Sequence, residues 1–278
     1  MKKRFYLLAV ICASYFSSSA QQLRTPAPSP PQYVKQDFGL SNIELSYSRP
    51  SVKGRQIFGD LVPFGKVWRT GANQATTITF GDDVSIGGTK VPAGKYGLLT
   101  IPGASEWTFI ITKQLDVTSP AQYKQDQDVL RFTASVETLP FSVETMTFFF
   151  DNMTGSSCDL ELVWDKTVVV IPIKTDVDSK VMAQIDNIFN KDSRPYYSAA
   201  IYYMDNGKDL NKSLEWFNKG IEQEPKAFFI YYQKARCLAK LGRKQDAIST
   251  AQKSMDLARE ARNDDYVALN EKLIASLR

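Results

Sequence analysis

The sequence contains no histidine in its 278 residues. Without imidazole, neither a Ser-His-acid or Cys-His catalytic arrangement nor a zinc site with imidazole ligands can be assembled. Acid–base chemistry would fall to carboxylates, lysine or tyrosine, whose pKa values must be shifted strongly to act near neutral pH. This absence leaves enzymatic activity open but argues against it, and we predict no catalytic residue, no metal and no cofactor.

Cysteine is nearly as scarce, with three residues in the chain. Cys12 lies in a leader segment, which leaves Cys158 and Cys237, one in each of the two domains predicted below. A disulfide framework needs more cysteines at closer quarters, and two distant thiolates cannot close a metal site. Both cysteines are therefore predicted to be buried free thiols.

A strong excess of charge and a long apolar run are also missing. The chain has 34 cationic and 30 acidic residues, and three of the cations lie in the leader, so the rest carries a net charge of +1. This balance gives no electrostatic argument for nucleic acid or an anionic membrane. No segment after the leader is apolar over the ~20 residues that a spanning helix needs. We predict no nucleic-acid partner and no transmembrane segment.

The first residues have the pattern of a secretory signal peptide, residues 1–20. The stretch "MKKRFYLLAVICASYFSSSA" joins a basic start, a short apolar run and small residues, with cleavage predicted before Gln21. Residues 21–36 follow as a predicted linker, in which "RTPAPSPPQ" holds four prolines that favour an extended chain. The mature protein is expected in the periplasm or outside the cell.

Residues 37–177 are predicted to form strands separated by turns. "NIELSYS" alternates Ile43, Leu45 and Tyr47, and Gly87-Gly88 indicates a tight hairpin. Later strands are predicted separately at "VLRFTASVETL", "SVETMTFFFD", "SCDLELVWD" and "TVVVIPIK", which gives nine or so in all. No amphipathic helix separates successive strands, which argues against parallel βαβ units. The pattern favours an antiparallel β-sandwich, or a barrel-like sandwich.

From residue 178 to residue 278 the period becomes helical. "SKVMAQIDNIFNKD" places apolar residues at i, i+4, i+7 and i+8. A shift of 34 residues then superposes "NKSLEWFNKGI" on "QDAISTAQKSM", so that Phe217 falls on Ala251 and, further upstream, Met204 on Leu238. A helical period of 34 is typical of tetratricopeptide repeats, and the region resembles two degenerate repeats with flanking helices. The fold class predicted is an α+β multidomain protein with a C-terminal tetratricopeptide-like hairpin array.

Tyrosine pairs recur in the helical region, at 196–197, 202–203 and 231–232. Aromatic residues at helical spacing usually form the core of such repeats. The alternative is a concave groove that binds a peptide or a protein partner.

A cationic segment, residues 48–73, separates the first two predicted strands. Its sequence is "SRPSVKGRQIFGDLVPFGKVWRTGAN", with five cations against the single acid Asp60 and no period of a strand or helix. Together with "ATTITFGDDVSIGGTKVPAGKYGLLTIP" and "WTFIITK", it resembles the family of exported bacterial β domains called domain of unknown function 2911, over about residues 38 to 178. The resemblance implies export and a compact β domain, and it carries over neither an activity nor catalytic residues.

The cationic segment has two interpretations. It could cover one end of the β domain, with its apolar side chains in the core and its arginines bonded to loop carbonyls. Alternatively, it could form the wall of a pocket in which guanidinium groups bind a small anion and the indole offers a flat face. The predicted ligand-binding residues are Arg49, Lys53, Arg55, Trp68, Arg69 and Asn73.

Three functions remain open. The preferred one is an exported, non-catalytic binding protein whose β domain recognises a small anionic or polar ligand or an envelope component, while the helical repeats bind a protein partner. A hydrolase-type enzyme would use Asp60, or Asp82 and Asp83, with the arginine cluster stabilising charge. A purely structural envelope module is the third.

Overall fold

The computed structural model describes residues 25–189 and 195–278. The signal-peptide prediction for residues 1–20 lies outside the described residues. The chain divides between Val177 and Asp178 into two compact units. We call the first the β unit and the second the helical unit.

The β unit contains nine strands among the described residues. They are β1 (Pro31–Phe38), β2 (Ser41–Ser48), β3 (Thr77–Phe80), β4 (Val84–Ile86), β5 (Thr89–Val91), β6 (Gly94–Ile101), β7 (Glu106–Thr112), β8 (Asp128–Asp151) and β9 (Ser157–Thr175). The strands pair antiparallel in the order β1-β2-β3-β6-β7-β8-β9-β4-β5. Strand β1 begins at Pro31, inside the range 21–36 that was predicted to be a linker.

Strands β8 and β9 are much longer than the sequence pattern predicts, because each joins two strands that were predicted separately. Strand β8 pairs with β7 through its first residues and with β9 from Val136 onward. Its register with β9 shifts twice, so that residues 138 to 147 of β8 face residues 163 to 167 of β9. Pro140 lies in this irregular part, where a strand tolerates a residue without an N–H. The proline marks a bulge and does not end the strand.

One hydrophobic core is shared by strands from both ends of the sheet order. Its fully buried members come from every strand from β2 to β9 and include Ile43, Phe80, Phe109, Met146 and Ile171. Tyr47 of β2 meets Phe148 of β8 edge-on at a centroid distance of 5.0 Å, and its hydroxyl accepts the Phe148 N–H at 2.9 Å. Burial of alternate residues along these strands therefore joins β2 to β8, which are about a hundred residues apart in the chain.

A smaller apolar cluster lies beneath the loop between β7 and β8. Leu99 of β6, Ile110 of β7 and Val117 of the loop are fully buried there. The loop contains two short 3-10 helices, Pro120–Gln122 and Gln125–Gln127. Its ends are tied by the N–H of Lys113 and the hydroxyl of Thr112, which both donate to the Gln127 carbonyl. The loop thus forms a fixed cover over β6 and β7.

The helical unit has six helices among the described residues. They are α1 (Val177–Phe189), α2 (Tyr196–Asp205), α3 (Leu210–Gln223), α4 (Phe228–Lys240), α5 (Lys244–Glu260) and α6 (Asp264–Leu277). Asp209 caps α3 by accepting the N–H groups of Asn211 and Lys212, and Asn263 caps α6 by accepting that of Tyr266. From α2 onward, each helix packs against the next one in the chain. Along the chain, β9 ends at Thr175 and α1 begins at Val177.

The residues superposed by the 34-residue shift also match in burial. Phe217 and Ala251 are both fully buried, as are Met204 and Leu238. Their helices α3 and α5 begin 34 residues apart, at Leu210 and Lys244. The matching burial explains the 34-residue spacing, because the two residues of each superposed pair occupy equivalent positions on the buried faces of their helices.

Cys158 and Cys237 are both buried and free, as predicted. Burial raises the pKa of the Cys158 thiol to about 11 and raises that of Cys237 as well. Each thiol therefore stays protonated and unreactive near neutral pH. In the described part of the chain, no helix combines the length and apolarity needed to cross a membrane.

Candidate functional site

The cationic segment is held to the β unit by main-chain hydrogen bonds along its length. Its Val52 N–H donates to the Glu144 carbonyl of β8 at 2.7 Å, and Gly65 N–H donates to the Pro102 carbonyl at 2.9 Å. Trp68 and Thr100 exchange N–H and carbonyl bonds at 2.7 and 3.0 Å. The side chains predicted to bind a ligand therefore stand on a fixed backbone.

Arg49 connects the start of the segment to β8. Its Nε donates to the Met146 carbonyl at 2.9 Å, and its Nη2 donates to the hydroxyl of Thr147. The side chain is half-buried. This guanidinium group thus bonds two consecutive residues of a strand that lies almost a hundred positions later in the chain.

Arg55 and Lys53 lie on the exposed turn that follows. The Arg55 guanidinium closes back on its own turn, donating from Nε to the Val52 carbonyl at 3.0 Å and from Nη2 to the Ser51 carbonyl at 2.6 Å. Lys53 has a positive φ of 50° and uses its main-chain N–H to bind the Glu144 carboxylate. Both residues stabilise the turn through main-chain groups.

Arg69 and Asn73 lie at the other end of the segment. Arg69 donates from Nη1 to the Thr118 carbonyl in the loop between β7 and β8, at 2.7 Å. Its Nε is buried without a hydrogen-bond partner in the described part of the chain. Asn73 donates its amide to the Ser29 carbonyl at 3.0 Å. The three guanidinium groups therefore donate in three separate places: β8, their own turn, and the β7–β8 loop.

Trp68 belongs to an aromatic cluster at the end of the core. Its ring is stacked on Trp164 at 6.0 Å and contacts Phe58 and Trp107 edge-on, each at 6.1 Å. The indole N–H donates to the Gly71 carbonyl at 3.0 Å. Of the six predicted residues, Trp68 is the one that contributes most to packing.

Replacing Arg49 by methionine is expected to destabilise the β unit by about 1–2 kcal/mol. Methionine keeps much of the side-chain volume, but the carbonyl of Met146 and the hydroxyl of Thr147 lose a charged donor. Urea unfolding of the full chain followed by tryptophan fluorescence measures the change. Lys53→Met is the matched control, since it removes an exposed cation from the same segment, and a loss equal to that of Arg49→Met would contradict the prediction.

Among the acidic residues considered for a hydrolase, Asp83 is bound to groups outside the cationic segment. Asp83 accepts the N–H of Ala93 at 2.9 Å and forms an ion pair with Lys90 at 2.7 Å, while Asp60 is exposed. Burial raises the pKa of Glu161, but this residue lies on β9 and not on the cationic segment. Within residues 25–189 and 195–278, no group of three or more acidic or cysteine side chains could hold a metal ion.

A buried polar cluster that was not predicted lies at the start of β8. The Asp128 side chain is 8% exposed, accepts the hydroxyl of Tyr123 and contacts Arg131 at 3.3 Å. Arg131 also donates to the tyrosine oxygen at 2.8 Å. Burial and the bond to Asp128 raise the pKa of Tyr123 to about 12, so this hydroxyl is a permanent donor at neutral pH. The cluster fixes the second 3-10 helix where it enters β8.

The helical unit contains an aromatic groove of about 380 Å³ between α1, α2 and α3. We define it by its aromatic residues Phe189, Tyr196, Tyr203 and Trp216 and its charged residues Asp186, Lys212, Glu215 and Lys219. The rings of Phe189 and Trp216 are stacked at 4.8 Å, and Tyr203 meets Trp216 edge-on at 4.6 Å. Phe189 and Tyr203 are partly exposed in the groove, while Trp216 and Tyr196 are buried behind them in the core of the helical unit.

Two lysines stand over the buried rings of this groove. Lys212 Nζ lies 5.5 Å from the Trp216 ring, and Lys219 Nζ lies 5.5 Å from the Tyr196 ring. Glu215 bridges the two ammonium groups at 2.9 and 2.8 Å. Its hydrogen bonds to Lys219 and Lys212 lower the pKa of the Glu215 carboxyl. Aromatic faces beside fixed charges can receive an apolar side chain and orient a charged neighbour of that side chain.

The sequence contained a partial signal for this groove. The tyrosine pairs were recognised, and their two interpretations were left open. The groove uses Tyr196 and Tyr203, one residue of each of the first two pairs, because neighbouring helix residues face different directions. Trp216 and the lysines were not predicted as site residues.

Comparison with known proteins supports the assignment of the β unit. A family model described as a protein of unknown function, DUF2911, matches residues 29–173. The chain belongs to this family. The DUF2911 match begins before β1 and ends within β9, so it covers the β unit. The resemblance noted above was placed at about 38 to 178, and it therefore missed β1.

One solved structure is similar to part of the chain. It is the crystal structure of a tetratricopeptide repeat domain protein from Salinibacter ruber, with 21% identity, 30% of this chain covered and 91% of the other. The TM-score is 0.28, which does not establish a shared fold. No curated protein matches the chain.

Proposed function

We propose that this DUF2911 protein is an exported, non-catalytic binding protein whose helical unit recognises a segment of another protein. The aromatic groove between α1, α2 and α3 is the observation that carries the proposal. It joins stacked rings to two lysines and a glutamate within one concave surface. Such a surface suits a peptide that carries an apolar side chain next to a carboxylate.

The arrangement of the helices supports the same function. We propose that α2 to α5 form two tetratricopeptide-like hairpins, because α3 and α5 begin 34 residues apart and their superposed residues share burial. Helical repeats of this kind present grooves to partner proteins. Export is supported by the basic, apolar and small-residue pattern of residues 1–20.

The β unit would act as a rigid platform. We propose that its sheet folds into a β-sandwich, with β8 passing from one layer to the other. Three features favour this arrangement: a core shared by β2 and β9, the contact of Tyr47 with Phe148, and the bulged middle of β8. Bulges and bends are the usual means by which a strand changes sheets.

A small-ligand site at Arg49, Lys53, Arg55, Trp68, Arg69 and Asn73 is the second candidate. The observation in its favour is the buried Nε of Arg69, a donor without a partner among the described residues. The hydrogen bonds that the guanidinium groups of Arg49, Arg55 and Arg69 donate go to protein carbonyls and to one hydroxyl. Because these contacts direct the three guanidinium groups to separate protein acceptors, we rank anion binding below peptide binding.

The groove can be tested with a phage-displayed library of random peptides selected on residues 21–278. Selected peptides are expected to carry an apolar residue beside an acidic one. Lys212→Glu should weaken their binding about tenfold, because the ammonium group above Trp216 is replaced by a carboxylate. Fluorescence anisotropy with the labelled peptide measures the dissociation constant.

Lys253→Glu is the matched control, since Lys253 is another exposed lysine, on α5 and away from the groove. Its peptide affinity should stay within about twofold of the parent. The proposal fails if no peptide is enriched, or if the two variants reduce binding equally.

A further inference from the structure

Strand β1 is the outermost strand of the sheet among the described residues. It pairs with β2 in unbroken register from Pro31–Ser48 to Phe38–Ser41. No described strand pairs with its other side. Eight residues of regular strand therefore present an open edge, which is the usual template for pairing with another chain.

The hydrogen bonds between β1 and β2 show which residues of β1 point their main-chain N–H and carbonyl groups toward the open edge. Arg49 N–H donates to the Pro30 carbonyl, so residue 30 points its main-chain groups toward β2. In an antiparallel pair, alternate residues point to opposite sides. Tyr33, Lys35 and Asp37 therefore direct their N–H and carbonyl groups outward. The side chain of Gln36 folds over this edge and donates to the Asp37 carbonyl at 3.1 Å.

The side chains at the edge are exposed and carry opposite charges. Tyr33 is 78% exposed, and Lys35 and Asp37 are exposed next to each other on the same face. Lys35 is drawn toward β2 by an ion pair with Glu44 at 2.9 Å. When two copies of this strand pair antiparallel, Lys35 of each copy can lie opposite Asp37 of the other.

Few symmetric registers are possible between two such edges. A two-fold axis at Gln36 places Lys35 opposite Asp37 twice, with the outward main-chain groups of both residues facing each other. An axis at Lys35 places lysine opposite lysine, and an axis at Asp37 places aspartate opposite aspartate. An axis at Val34 places Pro31, which has no N–H, among the bonded positions. Charge and hydrogen bonding thus select the axis at Gln36.

We propose that a second copy of this chain pairs with β1, antiparallel and about a two-fold axis at Gln36. The pairing forms four main-chain hydrogen bonds between Lys35 and Asp37 of the two copies and two ion pairs above them. The Asp37 carbonyl, which accepts the Gln36 amide within one copy, has a second lone pair for the N–H of the other copy. It also places Val34 of one copy opposite Phe38 of the other. The occupant of the edge is the same chain, because β1 is complementary to itself in this register.

The test is a charge exchange in residues 21–278, with the dimer dissociation constant measured by sedimentation equilibrium up to millimolar concentration. Lys35→Asp and Asp37→Lys each place like charges opposite each other twice, and each should weaken the dimer at least about tenfold. The double variant K35D/D37K restores opposite charges and should recover most of the affinity. Circular dichroism confirms that all the variants remain folded.

Lys90→Asp is the control, since it reverses an exposed lysine on β5, at the other end of the strand order. It should leave the dimer unchanged. A chain that stays monomeric over the whole concentration range overturns the proposal. So does a dimer that is insensitive to the single charge reversals, or one that the double variant fails to restore.

Discussion

Replacing Trp68 by alanine is expected to destabilise the β unit by about 3 kcal/mol, the lower end of the range for a buried tryptophan. The indole is half-buried, stacked on Trp164, and in edge contact with Phe58 and Trp107. Its removal opens the end of the core and leaves the Gly71 carbonyl without its donor. A ligand-facing tryptophan would instead be removed at little cost in stability.

Urea unfolding of the full chain can resolve this effect. With Trp216 of the helical unit replaced by phenylalanine in all the variants compared, Trp107 and Trp164 report on the β unit by fluorescence. Circular dichroism follows the helical unit, which should unfold at the same concentration of urea in each of them. Leu61→Ala is the matched control because Leu61 lies in the same segment and is 44% exposed, so its loss should cost less than about 1 kcal/mol. A loss below about 1 kcal/mol for Trp68→Ala would return this residue to the set of ligand-binding candidates.

Gly97→Ala is expected to destabilise the β unit by about 2–3 kcal/mol, although it adds a single methyl group. A Cβ at this position of β6 would overlap the main-chain oxygen of Gln114 and lie 3.0 Å from the Thr112 side chain. Because the overlapping atom belongs to the backbone of Gln114, the β7–β8 loop must move away to make room for the methyl group. Leu99 and Ile110 beneath the loop, and Val117 of the loop itself, would then be partly exposed.

Gly155→Ala provides the comparison for the same chemical change. No atom lies within 4 Å of its ideal Cβ, and neither glycine has a positive φ. The control should therefore change stability by less than about 0.5 kcal/mol. Calorimetry of both variants gives the difference directly, and equal melting temperatures would show that the loop yields without cost.

These two predictions give the family match a physical meaning. Trp68 and Gly97 both lie in the segments that carry the DUF2911 resemblance, and both act by packing. The arginines of the cationic segment likewise bond to carbonyls and a hydroxyl within the β unit. The most recognisable part of the sequence is thus explained by how the β unit is held together. The groove proposed to bind a partner lies outside the matched residues.

Much of the secondary structure could be predicted because its signal is local. Ile43, Leu45 and Tyr47 alternate along β2 and are all buried, and Ile185 lies on the buried side of α1. The predicted strand bounds were wrong where pairing with another strand outweighed the local effect of a proline. Two separate strands were predicted on either side of Pro140, but β9 holds β8 in place on both sides of it. The prolines before Tyr33 suggested a linker, but β2 pairs with the chain from Pro31.

The sequence by itself thus determined the family and the presence of an antiparallel strand region followed by helices. Each of these depends on residue types a few positions apart. Only the tertiary structure decided where the arginines donate, which tyrosines line the groove, and which edge of the sheet stays open. Those outcomes depend on residues that are distant in the sequence but close in space, such as Arg49 and Met146. A local pattern along the chain carries no information about such contacts.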